Sequence, residues 1–204
     1  LKKSRPHRSS IKPSSAPSPS HTLRIIGGQW RGRKLSFVGA EGLRPTGDRI
    51  RETLFNWLMP DLPSARCLDV FSGSGALGLE ALSRGAATAT LLELHPQAAA
   101  QIRQHLRLLG CTQGEVVQTN SITWLLQAPR AEGYDVVFID PPFEQDLWQA
   151  TVDALEQRNW LNEGAAIYIE TPRQLPLLTP AHWHLHREKH AGDVTFRLYY
   201  REAA

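Results

Sequence analysis

Apolar residues follow two rhythms along this chain. Short, almost fully apolar runs cover residues 65–71, 87–93, 115–119, 134–139 and 165–170. Runs of this length, rich in Val, Ile, Leu and Phe, predict strands buried on both faces. Between them apolar residues recur every three or four positions. One such segment follows a glycine turn and runs to about Arg84, with Gly85 as its stop. Another spans 96–109, with Ile102, Leu106 and Leu109 on one side. A third opens at Asn120-Ser121 and carries Trp124 and Leu125. A fourth turns Trp148, Val152 and Leu155 inward. Strand and helix in alternation predict an α/β fold with a mostly parallel sheet. The rhythm then changes. Val194, Phe196, Leu198 and Tyr200 alternate with Thr195, Arg197 and Tyr199, and residues 182–189 alternate as well. A period of two predicts an antiparallel hairpin at the end of the sheet.

The front of the chain is organised differently. Residues 1–22 are rich in Ser, Pro and basic residues and poor in large apolar ones, so they are expected to be disordered. Residues 23–42 predict a small β-hairpin. Leu23, Ile25 and Ile26 form its first strand and Gly27-Gly28 its bend. The return mixes Arg31, Arg33 and Lys34 with Trp30, Leu35 and Phe37, giving a basic face interleaved with rings. The main domain is expected over 43–204. Its loop Arg44-Pro45-Thr46 leads into a helix capped by Thr46 or Asp48, with Ile50, Leu54, Trp57 and Leu58 as one apolar stripe. Arg49, Arg51, Glu52 and Asn56 lie off that stripe and read as polar surface. Pro60 and Pro63 end the helix.

Charge sharpens this division. The net charge is +3, yet residues 1–51 hold twelve basic residues against two acidic ones, +10, which leaves −7 for the rest. A basic front on an acidic body suits a polyanionic partner, and basic residues interleaved with aromatic ones suit a nucleic acid. No apolar run is long enough to span a bilayer, and no signal-peptide pattern opens the sequence. The two cysteines, Cys67 and Cys111, read as small apolar residues, which fits a reducing cytoplasm. His182, His184 and His186 fall on one strand face. With no cysteine or acid placed to complete a metal site, they read as the solvent face of an edge strand.

Two stretches carry candidate chemistry. The first is Asp69-Val-Phe71-Ser-Gly73-Ser-Gly75-Ala-Leu-Gly78, where a strand passes through a glycine turn into a helix. That arrangement lets backbone approach a nucleotide closely. The spacing of Gly73, Gly75 and Gly78 also fits a dinucleotide fingerprint, but no feature identifies a hydride-transfer substrate. Glu93, about twenty residues on, stands where a carboxylate holds ribose hydroxyls. The second stretch is Asp140-Pro141-Pro142-Phe143, at the carboxyl end of a central strand. Two prolines cannot continue a ladder, so the strand stops there. The Asp140 carboxylate and the Pro141 carbonyl form an acceptor pair for the two hydrogens of an exocyclic amine. Holding them turns the nitrogen lone pair out of the ring plane and stabilises charge that develops on nitrogen. Asp140 or a water takes the proton, and Phe143 can stack on the base.

These motifs resemble those of class I S-adenosylmethionine-dependent methyltransferases acting on exocyclic amines. Arg24-Ile-Ile-Gly-Gly, Trp30-Arg-Gly-Arg-Lys34, Leu43-Arg-Pro-Thr46 and Asp48-Arg-Ile-Arg-Glu-Thr-Leu-Phe-Asn-Trp57 are similar to the bacterial 16S ribosomal RNA guanine-N2 methyltransferase family, the RsmD family. The resemblance runs from about Leu23 to the carboxyl end. It implies a Rossmann-like seven-stranded sheet of order 3-2-1-4-5-7-6 with the seventh strand antiparallel. It implies N2-methylation of one guanine in 16S rRNA, in the assembled or assembling small subunit, with S-adenosyl-L-methionine as cofactor. Carried over by motif, Asp140, Pro141, Pro142 and Phe143 are catalytic. Asp69, Phe71, Gly73, Gly75, Glu93, Leu94, Asn120, Ser121 and Asp140 bind the cofactor. Arg24, Trp30, Arg31, Arg33, Lys34, Arg44, Thr46 and Arg49 meet the RNA, with Thr46 and Arg49 lining the cofactor or base entrance. Many relatives in the wider class carry an acid at the Asn120 position; Asn can still bond an adenine amine. The expected partner is 16S rRNA or the small ribosomal subunit, without membrane or metal, and the chain is expected to act as a monomer. Two alternatives stand beside this: an adenine-N6 methyltransferase on DNA or RNA, because Asp-Pro-Pro-Phe serves either amine, and a non-catalytic RNA-binding assembly factor.

Overall fold

The structure is a computed structural model and describes residues 20–38, 47–127 and 132–203. The hairpin comes first. Strand β1, Ser20–Arg24, pairs antiparallel with β2, Lys34–Val38, and a 3-10 turn at Gly28–Trp30 lies between them. The strand begins at Ser20, inside the stretch expected to be disordered; residues 1–19 of that stretch lie outside the described residues. Helix α1 spans Asp48–Trp57. Then β3 (Arg66–Asp69), α2 (Ala76–Ser83), β4 (Thr88–Glu93), α3 (Pro96–Leu108), β5 (Gly114–Gln118), α4 (Ser121–Leu125) and β6 (Tyr134–Ile139) follow. After a short 3-10 turn at Phe143–Gln145 come α5 (Trp148–Gln157), β7 (Leu161–Pro172), β8 (Trp183–Ala191) and β9 (Val194–Arg201).

The main sheet has seven strands in the order β5-β4-β3-β6-β7-β9-β8. Counted from β3 this is 3-2-1-4-5-7-6, the expected order. Strand β9 runs antiparallel to both β7 and β8, and β3 to β7 are parallel where they pair. Each buried strand sends alternate side chains to two apolar layers. Phe138 and Tyr168 meet Leu54, Phe55, Leu79 and Ile102 on one face. Val137, Ile139, Ile167 and Ile169 meet Trp148, Val152 and Leu155 on the other. This is the two-sided burial that makes the strand sequences continuous apolar runs. Leu23, Ile25, Leu35 and Phe37 join the first layer, so the hairpin shares the core of the main domain.

Several details depart from the sequence expectation. Gly47 occupies the N-cap of α1 and Asp48 does not cap it; its carboxylate instead accepts from Arg51 Nη2 at 2.6 Å. Arg51, expected on a polar surface, is 1% exposed, because the hairpin covers that flank of the helix. The loop 43–46, with Arg44 and Thr46, lies outside the described residues. Strand β7 is longer than expected and reaches Pro172. The histidines separate: His182 meets Glu156 at 3.0 Å, His184 meets Glu202 at 3.2 Å, and His186, at a register shift in β8, lies edge-on to Tyr200. Among the described residues no three metal-binding side chains cluster, and no helix is long and apolar enough to cross a membrane.

Candidate functional site

The glycine turn and the Asp-Pro-Pro-Phe turn emerge side by side. Asp69 pairs with Phe138 across β3 and β6, and Val70 N–H donates to the Phe138 carbonyl at 3.1 Å. The two chains then leave the sheet together, at the edge where open α/β sheets bind ligands. Gly73 and Gly75 take left-handed backbone, φ 52° and 80°, which a side chain rarely tolerates. Gly75 is the N-cap of α2, so the turn presents backbone rather than side chains above the sheet.

Two acids hold that turn. Asp69 is buried at the end of β3, and its Oδ2 accepts the Gly78 amide at 3.0 Å. Burial raises its carboxyl pKa to about 7, with the charge of Glu93 adding to the rise and the bonds from Gly78 and Ser72 opposing it. Through the Gly78 bond Asp69 orders the loop. Glu93, at the end of β4, accepts the Gly73 amide at 2.8 Å and the His95 amide at 2.7 Å, one on each oxygen. Each oxygen keeps a second lone pair for a hydroxyl. Leu94, the next residue, is 49% exposed and offers an apolar surface at the rim. Phe71 is half-buried behind the turn. Asn120 caps α4, its Oδ1 accepting from Thr123 N–H at 3.0 Å. Ser121 turns inward, its hydroxyl donating to the Val70 carbonyl at 2.5 Å, and so ties α4 to the end of β3.

At the other turn Asp140 is half-exposed, Pro141 buried and Pro142 exposed. Phe143 is 40% exposed, its ring standing edge-on to Trp148 with centroids 5.5 Å apart. Below Asp140 lies Tyr168, fully buried. Burial drives its phenol pKa well above the ordinary value, and the nearby charges of Glu170 and Asp140 add to it. The phenol therefore stays protonated and donates to Glu170 Oε2 at 2.8 Å.

The hairpin is fixed to the helix that follows the glycine turn. Glu80 on α2, 0% exposed, accepts the amides of Ile26 at 2.9 Å and Gly27 at 2.8 Å. It also takes Arg84 Nε at 2.7 Å and lies 3.5 Å from Arg51 Nη1. Ser83 Oγ donates to the Gly27 carbonyl at 2.6 Å and accepts the Trp30 amide at 3.0 Å. Gly28 rides so close that a Cβ would fall 1.8 Å from the Ser83 carbonyl oxygen. On the second strand, Gln101 and His105 of α3 both reach the Ser36 carbonyl at 3.0 Å. Arg24, Arg31, Arg33, Lys34 and Arg49 remain exposed. The rings do not: Phe37 is buried and Trp30 is half-buried against the core, so the stacking surface expected of the interleaved aromatics is turned inward. The sequence did not single out Glu80, Ser83, Tyr168 or Glu170, and it read Trp148 only as an inward-facing residue of its helix. A lone acid in the otherwise apolar helix of Glu80 was the available signal, as was the Glu that ends the apolar run before Thr171.

The family model described as Conserved hypothetical protein 95 matches residues 23–200. Among curated proteins the chain is 51% identical over 187 residues to ribosomal RNA small subunit methyltransferase D of Escherichia coli, covering 91% of this chain and 93% of that one. It is 48% identical over 191 residues to the protein of the same name from Haemophilus influenzae, covering 93% and 99%. Among solved structures, a putative methyltransferase from Escherichia coli superposes with a TM-score of 0.81 at 48% identity, covering 90% of this chain and 100% of that one.

Proposed function

Because the chain belongs to the family of ribosomal RNA small subunit methyltransferase D, it is an rRNA methyltransferase, and we propose that it methylates the exocyclic N2 amine of one guanine in 16S rRNA. The observation that carries this is the placement of Asp140-Pro-Pro-Phe143 beside the glycine turn, at the carboxyl ends of adjacent central strands.

The residues at that edge fit S-adenosyl-L-methionine. Left-handed glycines leave room for close approach, a carboxylate ends the next strand, and an exposed Leu94 and the α4 N-terminus flank it. Gly73 and Gly75 would meet the methionine part, Glu93 the ribose, and Leu94, Asn120 and Ser121 the adenine. The bound cofactor supplies an electrophilic methyl group on a sulfonium. The chain's own part is to orient and polarise the amine. Asp140 and the Pro141 carbonyl accept its two hydrogens and turn its lone pair toward the methyl donor. The same acceptors offset the positive charge that grows on nitrogen, and Asp140 receives the released proton directly or through water. Phe143, braced by Trp148, holds the splayed-out base.

The test uses labelled S-adenosylmethionine with naked 16S rRNA, unmethylated small subunits and duplex DNA as parallel substrates. N2-methylguanosine from rRNA or subunits is the expected product, and the ratio between those two reports whether assembly presents the base. N6-methyladenosine, or label in DNA, would overturn the substrate; no label in any of the three would favour a binding factor.

The exposed cations of the hairpin give a further expectation. Neutralising Arg31, Arg33 and Lys34 should flatten the dependence of log K on log salt by about 0.7–0.9 per phosphate contact removed. Filter binding across a salt series measures it, and an unchanged slope would place the RNA elsewhere.

A further inference from the structure

Glu170 has no part in the chemistry above, yet it stands next to it. Strands β6 and β7 run parallel with Ile139 opposite Ile169, so the next residues, Asp140 just past the end of β6 and Glu170 within β7, stand as neighbours. Phe138 and Tyr168 pack in one apolar layer, and strand alternation sends the side chains two residues on toward the same face. For Glu170 the phenol of Tyr168 fixes that direction, donating to Oε2 at 2.8 Å. A second tie reaches the motif itself: Trp148 Nε1 donates to the Glu170 carbonyl at 2.6 Å while the Trp148 ring meets Phe143. One indole therefore touches both the Glu170 backbone in β7 and the aromatic residue of the Asp-Pro-Pro-Phe turn. Glu170 is 7% exposed, beside Tyr168 and opposite Phe196. A charge so placed is costly, and a phenol needs only a neutral carbonyl to be satisfied. The phenol engages Oε2, and Oε1 has lone pairs that can accept a further hydrogen bond.

We propose that Glu170 is the residue that reads guanine, accepting a hydrogen bond from N1–H of the target base while Asp140 and the Pro141 carbonyl hold its N2 amine. This rests on the guanine-N2 reading and extends it. Guanine presents N1–H and N2–H as adjacent donors, matching two neighbouring carboxylates. Adenine presents the N1 lone pair beside its N6 amine, so Glu170 would face an acceptor with an acceptor. Sites built around a buried hydrogen-bonding group discriminate strongly against a partner lacking the complement. The Asp-Pro-Pro-Phe turn serves either amine; the acid on the next strand chooses.

The charged surroundings of Glu170 bear on its ionisation. Asp140 ends β6. On β9, Arg197 lies opposite Ile169 on the other face, held by Glu188 at 2.6 Å and Thr171 at 3.0 Å. Lys189 on β8 lies opposite Phe196, in the same cross-strand row, and is exposed. Burial raises the Glu170 pKa and the Tyr168 bond lowers it.

The experiment compares the full chain with Glu170→Gln, Tyr168→Phe and the double variant on unmethylated small subunits, as kcat/KM against pH. Glu170→Gln should lose about 10- to 100-fold in kcat/KM, as for a hydrogen bond to a charged group, with S-adenosylmethionine affinity retained. Tyr168→Phe removes the bond that lowers the Glu170 pKa, so the acidic limb should move to higher pH. In the Glu170→Gln background that movement should vanish. A wild-type rate in Glu170→Gln, or an acidic limb that Tyr168→Phe leaves in place, would overturn the proposal. The wild-type product tests the underlying reading separately: N2-methylguanosine with an immobile limb sinks Glu170 alone, whereas N6-methyladenosine sinks both.

Discussion

Asp140→Ala should lower the single-turnover rate of methyl transfer by about 10²–10⁴-fold, the usual range for loss of a positioned general base, while S-adenosylmethionine still binds. The expectation separates two duties that meet at one edge of the sheet. Cofactor contacts come from the ends of β3 and β4, where Gly73 and Gly75 are held by Glu93 and by the Asp69–Gly78 bond. The bonds that hold this turn are made by Glu93 and Asp69 rather than by Asp140. The amine, by contrast, has its acceptors on the β6 turn, and losing the carboxylate leaves one proline carbonyl to hold two hydrogens. Asp140→Asn is the sharper companion. It keeps an acceptor oxygen and the side-chain shape but neither the charge nor the proton acceptor. A variant rate near wild type in Asn and low in Ala would assign Asp140 to orienting the amine, and low rates in both would assign it to charge or proton transfer. Calorimetry with the cofactor completes the test. Full activity in Asp140→Ala would remove the residue from the mechanism.

What the sequence exposed and what it hid follow from the range of each signal. The β-α rhythm, the switch to alternation before Val194, and the glycine and proline turns are local, and they suffice for a mostly parallel sheet with an antiparallel end; its strand order comes from the family resemblance. The edge where Asp69 and Asp140 meet is legible for the same reason, since the carboxyl ends of parallel strands converge by topology. Burial by a distant segment is not local. Arg51 lies off the stripe of Ile50, Leu54, Trp57 and Leu58, so it reads as surface. In the structure β1 covers that flank, and the Arg24 carbonyl accepts from Arg51 Nη2 at 2.9 Å. Phe55, four residues further and also buried, marks the same second stripe in retrospect. The hairpin rings mislead in the opposite sense. Interleaving of basic and aromatic residues looks like a base-stacking surface, but a two-stranded ribbon has an apolar side to bury. Leu35 and Phe37 take it, leaving the cations outward. Glu170 showed only as the acid that ends an apolar run, because its meaning depends on the strand beside it.

The second large effect is expected far from the chemistry. Glu80→Ala should cost about 3–5 kcal/mol, as when one partner of a buried ion pair is removed, against a total stability of about 5–15 kcal/mol for a typical domain. The loss has three parts. Arg51 loses the buried one of its two acidic partners and keeps Asp48 and the Arg24 carbonyl. The amides of Ile26 and Gly27 lose their acceptor. Arg84, whose guanidinium lies 5.2 Å above the Phe55 ring, loses the bond that holds it there. All three converge on the junction between the hairpin and the helix behind the glycine turn, so the hairpin should detach before the sheet unfolds. RNA affinity should then fall together with the unfolding midpoint. Neutralising Arg31, Arg33 and Lys34 should lower affinity with the midpoint unchanged. Urea titrations and binding isotherms on the two variants distinguish a platform that has moved from one that has lost its charge. Glu80→Gln, which keeps an acceptor but not the charge, should fall between wild type and Ala in stability. If Glu80→Ala loses stability yet binds RNA with wild-type affinity and salt slope, the docked position of the hairpin has no bearing on RNA recognition.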